Sequence, residues 1–295
     1  MKKLSLTIIA SILIISCTKD NDRADGYGNF EATEITVSSE SNGKIEFLNF
    51  EEGDVLEAQA QVGLIDTMQL YYSKQQLLAS KNTVSSKSEN VLSQRSVLNE
   101  QLKSAQIERN RVRSMFDENA ATKRQVDEVD GRVKVIEAQM RSVGTQNAPI
   151  VSDLKSIDVQ IEKINDQISK SKITNPIKGT VLTKYAEAGE ITAFGKPLYK
   201  IADMSEMTLR VYVSETQLSN IKIGQEVTVK IDGAAEMKSV KGTISWIASQ
   251  AEFTPKIIQT KEERVNLVYA VKVKIKNDGS LKIGMPAEMW VQESK

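Results

Sequence analysis

The sequence predicts an elongated α+β molecule: a β-sandwich split by an inserted antiparallel coiled-coil hairpin and followed by a small β-barrel. Three observations predict it. Of 15 Gly, only Gly131 and Gly144 lie between Gln69 and Ser171, and Phe116 is the only aromatic between Ser73 and Ser171. That polar, Gly-poor middle reads as long helix, and its Val/Ile-rich flanks read as strands. The flanks echo each other at a constant offset of 136 residues. The last third alternates apolar and polar residues with the period of a strand.

Residues 1–16 carry Lys2 and Lys3 and then a stretch from Leu4 to Ile15 that is apolar except for Ser5, Thr7 and Ser11. That stretch is shorter than the roughly 20 residues a membrane-spanning helix needs. It fits a secretory signal. Cleavage after Ser16 would make Cys17 the first residue, which resembles the lipobox of bacterial lipoproteins and implies an acylated Cys17 as anchor. Residues 17–35 then hold a polar leash, with Gly26 and Gly28, and a first strand.

Residues 69–171 form the predicted hairpin. In its second arm Val126, Val129, Val133, Ile136, Met140, Val143, Asn147, Ile150, Leu154, Ile157, Ile161, Ile164 and Ile168 are spaced alternately by 3 and 4. This is the a/d seam of a coiled coil, with one polar position. Pro149 lies inside it, so a local kink or short break is expected there. The first arm is looser: Leu70, Leu77, Val84, Val91, Leu98, Ala105 and Val112 recur every seven residues, and the second seam position is often polar. Thr122 and Gln125 form a capping box that starts the second arm, so the turn falls near 117–122.

The flanking echo pairs Gly43 with Gly179, Ile45 with Val181, Gly53 with Gly189, Val55 with Ile191, Val62 with Leu198 and Ile65 with Ile201. Each copy is too short to bury a core alone, and two copies facing each other can do so. The pattern G-x-I-x(7)-G-[DE]-V resembles the halves of a lipoyl/biotinyl-type sandwich, here residues 36–68 and 172–203. The hairpin sits where carrier proteins have their modified-lysine turn, so carrier function is not expected. A split lipoyl-type β-sandwich with an inserted helical hairpin resembles the HlyD-like periplasmic adaptors (membrane fusion proteins) of tripartite efflux and secretion systems.

Residues 204–295 complete the resemblance. Leu209, Val211 and Val213 alternate, as do Val227, Val229 and Ile231, and Leu267 to Ile275 with Lys272, Lys274 and Lys276 on the other face. Ile221-Lys222-Ile223-Gly224 is echoed by Leu281-Lys282-Ile283-Gly284, which suggests a small duplicated barrel. The stretch from Glu252 to Tyr269 resembles a signature of adaptors that work with ABC-type exporters. An adaptor for a proton-driven, RND-type pump is the alternative.

The resemblance implies an adaptor that links an inner-membrane transporter, ABC-type favoured, to a TolC-like outer-membrane channel. It implies a homo-oligomeric, hexameric ring forming part of the export duct, in the periplasm and lipid-anchored to the inner membrane of a Gram-negative bacterium. The family docks its channel with the tip pattern R-x(3)-L-x(6)-S. Here Arg111, Met115 and Thr122 stand at that spacing, with Met for Leu and Thr for Ser.

Composition agrees with a protein that works through surfaces. No His and one Cys leave no disulfide framework, zinc knuckle or His-based triad. Lys+Arg and Asp+Glu are 39 each, so a nucleic-acid partner is not expected. No catalytic residues, metal ligands or cofactors are expected, and the chain is not read as an enzyme. A lipoyl or biotinyl carrier component and a structural envelope spacer are the remaining, less favoured readings.

Overall fold

The computed structural model describes residues 24–233, 236–253 and 267–291. The signal segment 1–16, Cys17 and the signature residues between Phe253 and Leu267 lie outside the described residues. The split sandwich, the inserted hairpin and the closing barrel are all present.

The amino-terminal half of the sandwich supplies strands β2 (Glu34–Ser38), β3 (Gly43–Leu48), β4 (Val55–Leu56) and β5 (Gln61–Ile65). The second half supplies β6 (Lys172–Thr174), β7 (Gly179–Lys184), β8 (Ile191–Thr192) and β9 (Pro197–Ala202). They form two four-stranded sheets, in the orders β2-β9-β7-β4 and β6-β5-β3-β8, so each sheet takes strands from both halves. The echo in the sequence is a two-fold exchange in space. Ile45 N–H donates to the Glu190 carbonyl (2.8 Å) and Val181 N–H to the Asp54 carbonyl (2.9 Å), and the turn glycines 189 and 53 donate back to residues 45 and 181. Gly53 and Gly189 have φ of +96° and +92°, the left-handed region a side chain disfavours.

Matching positions of the two copies share the core. Ile45, Val181, Val62, Leu198, Ile65 and Ile201 are all buried in one cluster. Polar groups lock the seam between copies. Asn175 is fully buried; its amide donates to the Glu57 carbonyl (2.9 Å) and its Oδ1 accepts from Tyr199 Oη (3.1 Å). Lys184 Nζ lies 2.8 Å from Glu187 and 3.2 Å from Glu51 with its side chain only 6% exposed, so it ties the two acidic turns together. The hydrogen bond to Glu187 raises its pKa above the ordinary lysine value.

Helices α1 (Met68–Asp117) and α2 (Lys123–Lys170) form the hairpin. At 1.5 Å per residue, the 50 residues of α1 reach about 75 Å. Every seam position named above is buried or half-buried, including all thirteen of α2. The helix runs through Pro149 without a break. The polar seam positions of the looser arm meet polar partners across the interface. Ser88 Oγ donates to Asn147 Oδ1 (2.8 Å), so the one polar seam residue of α2 is satisfied. Lys81 pairs with Asp158 at 2.6 Å. At the base, fully buried Ser171 donates to Gln167 O and to Ser41 Oγ, which fastens α2 to the sandwich.

The barrel is a closed ring of six strands, β10 (Glu206–Ser214), β1 (Gly26–Glu31), β15 (Pro286–Val291), β11 (Glu226–Ile231), β12 (Lys238–Ile247) and β14 (Leu267–Lys276), with β14 returning to β10. The short β13 (Glu252–Phe253) pairs with the start of β14. A single-turn helix, α3 (Glu215–Leu218), follows β10. Alternate residues of these strands, from Phe30 to Met289, fill the barrel. The offset of 60 is structural too. Ile221 and Leu281 are buried, and Gly224 and Gly284 both have φ above +80°. Here the structure differs from the expectation that Gly26 and Gly28 belong to a polar leash: Gly26–Glu31 is a barrel strand. Gly28 belongs there for packing, since a Cβ would lie 1.8 Å from the Arg210 carbonyl oxygen.

Candidate functional site

The site the sequence points to is the hairpin tip, and local backbone chemistry builds it. The end of α1 is closed by Asn119, a non-glycine residue with φ +60°, whose side-chain type tolerates the left-handed turn. Ala120 N–H then donates back to the Met115 carbonyl (2.7 Å). Thr122 starts α2 with a complete capping box: its N–H donates to Gln125 Oε1 (2.7 Å), and Gln125 N–H donates to Thr122 Oγ1 (3.4 Å). One helical turn below, Arg113 reaches Asp130 with two hydrogen bonds of 2.8 and 2.7 Å and ties the arms. That guanidinium holds the Asp130 carboxyl below its usual pKa, chiefly through the hydrogen bond.

Arg111 and Met115 lie four residues apart on one face of α1. The Arg111 side chain is 66% exposed and forms an ion pair with Glu108, one turn before it, at 3.1 Å. Met115 is exposed. Thr122 is at the surface, but its hydroxyl is engaged with Gln125 in the cap. The tip therefore presents a cation and an apolar knob freely, and a hydroxyl that already has a structural task. Reasoning from spacing missed Phe116, an exposed ring beside Met115. Its signal was in the sequence, as the only aromatic between Ser73 and Ser171. Among the described residues no group of three or more Cys, Asp or Glu is placed to hold a metal, and no helix is long and apolar enough to cross a membrane.

Residues 207–291 match the YknX-like beta-barrel domain. A UPF0194 membrane protein of Yersinia pseudotuberculosis serotype O:3 is 38% identical over 112 residues, a match spanning 38% of this chain and 34% of the relative. A UPF0194 membrane protein of an Enterobacter species is 23% identical over 97% of this chain and 96% of the relative. Among solved structures, MacA from Actinobacillus actinomycetemcomitans aligns over 90% of this chain and 76% of its own, with a TM-score of 0.55 at 18% identity. A MacA-MexA chimera bearing the Pseudomonas aeruginosa MexA α-hairpin domain aligns over 90% and 78%, with a TM-score of 0.52 at 19% identity. The chain shares with these two solved structures an elongated α+β fold of split sandwich, inserted hairpin and following barrel.

Proposed function

We propose that the chain is the periplasmic adaptor of a tripartite export pump, joining an inner-membrane transporter to a TolC-like outer-membrane channel, and not an enzyme. The observation that carries this reading is the clamped insertion. Both ends of a hairpin about 75 Å long are held in one sandwich, and its free tip presents Arg111 and Met115. A carrier domain has no use for such an arm, and a simple spacer needs no sandwich at its base. Docking would set the Arg111 fork and the Met115 knob into a groove between channel helices. A duct requires a ring of copies, for which six is the number the family resemblance implies. An ABC-type partner is favoured by the resemblance between Glu252 and Tyr269; an RND-type partner is the alternative. Cys17 serves as the lipid anchor on the inner membrane. The test is Arg111→Asp, which should abolish export by the intact system while leaving adaptor abundance unchanged. Full transport by that variant would remove the docking role.

A further inference from the structure

The two ends of the barrel are chemically unlike. One end joins the sandwich through the short links from β1 to β2 and from β9 to β10; its strand termini carry exposed Glu31, Glu206, Lys238 and Lys276, with exposed Met237 and Ile283 beside them and no exposed ring among these residues. At the other end five strands of the ring, and the turn leading into the sixth, contribute a large aromatic or aliphatic side chain. These are Tyr27 on β1, Tyr212 on β10, Trp290 on β15, Ile223 in the turn before β11, Trp246 on β12 and Leu267 on β14. Tyr27, Ile223, Trp246 and Leu267 are 56%, 67%, 41% and 53% exposed. Both Trp residues of the chain are in this rim.

Cations back the rings. Lys230 Nζ stands 3.8 Å from the centre of the Trp290 ring, Lys272 Nζ 5.4 Å from Trp246, and Arg210 5.7 Å from Tyr212. Acidic partners balance them: Arg210 holds Glu252 at 3.0 and 3.1 Å, and the Trp290 indole N–H donates to Glu288. The rim is thus amphipathic and close to neutral, the character of side chains that settle at a bilayer interface.

The chain itself says what lies opposite. The described residues begin at Ala24, on this rim, where Asp25 N–H donates to the Met289 carbonyl and Asp25 accepts from Val291 N–H. The apolar stretch Leu4–Ile15 ends nine residues earlier. Nine peptide units reach at most about 30 Å, and from Cys17 the reach is shorter still. Whichever of the two is the anchor, the rim is held close to the membrane surface.

We propose that this aromatic rim is a bilayer-contact surface, seated in the headgroup region of the phospholipid to which the amino-terminal segment tethers the chain. Because its charges are balanced, zwitterionic lipid suffices. The inference goes beyond channel docking and involves a different end of the molecule.

The two Trp residues make the test direct. The full chain is reconstituted in phosphatidylcholine vesicles, and tryptophan emission is compared in plain lipid and in lipid brominated near the glycerol end of its acyl chains. The expected result is a blue shift and loss of emission with the brominated lipid, unchanged by added salt. Trp246→Phe should leave Trp290 quenched as the sole reporter. A double variant, Tyr27→Ser with Leu267→Ser, should reduce quenching while far-UV circular dichroism stays the same. Unquenched emission would overturn the proposal. So would quenching that the double variant does not reduce, since tethering alone would then explain it, or quenching that salt abolishes. Emission that shifts only when an inner-membrane protein partner is added would make the rim a protein interface and overturn it as well. The assay contains only this chain and lipid, so its failure leaves channel docking intact.

Discussion

Single residues at the tip and in the sandwich carry more than one demand. Thr122 caps α2 and also stands in the pattern R-x(3)-L-x(6)-S, and these roles separate by substitution. Thr122→Ala removes the cap and should cost about 1 kcal/mol, read as a lower thermal midpoint. Thr122→Asp keeps a capping oxygen but removes the hydroxyl. If the hydroxyl meets the channel, export should fall with the midpoint unchanged; normal export by Thr122→Asp would reduce Thr122 to a cap. The capping box could be read from the sequence because both its members lie within four residues. The roles of Asn175 and Ser171 could not, since their partners are 118 and 130 residues away. A buried Asn looks like any other polar residue until the fold shows its amide bridging two halves.

At the level of elements, the hairpin keeps its register through pairs that cross between arms. The apolar seam alone would tolerate a slip of one heptad, since it repeats every seven residues. Ser88 with Asn147, Lys81 with Asp158 and Arg113 with Asp130 hold the arms in one alignment. The Arg113–Asp130 pair gives the tip a pH dependence with a definite sign. The folded pKa of Asp130 is lowered, so its contribution is fully present above the ordinary Asp range and is lost as pH falls through the lower folded value. The pair's contribution should therefore hold from neutral pH down to the ordinary Asp range, about pH 4, and fall below it, and Arg113→Gln should flatten that acid part of the profile. Melting followed by helical circular dichroism at each pH checks this; an unchanged acid slope in Arg113→Gln would assign the loss to other carboxylates. The seam was visible in the sequence through its spacing. The crossing pairs were not, because no local rule matches Lys81 to Asp158.

For the whole molecule, each sheet of the sandwich takes strands from both sides of the hairpin, and the barrel closes only when β1 pairs with β10 and β15. Strand β1 therefore helps build the barrel, and Ala24, the first described residue, lies at the end opposite the sandwich. Cys17→Ser should release the protein into the soluble periplasmic fraction. Continued membrane retention would point instead to an uncleaved apolar segment as the anchor.

The sequence by itself determined the order of the parts, the hairpin and its turn, the duplicated half-sandwich and the strand alternation of the barrel. Each is a periodicity or an internal repeat, and such signals are local or self-matching. Only the tertiary structure decided that β1 is a barrel strand and that the sandwich halves exchange strands between both sheets. It alone gathered six apolar side chains, distant in the chain, onto one rim. Those outcomes depend on strand pairing and ring closure, which bring together residues that no spacing along the chain relates.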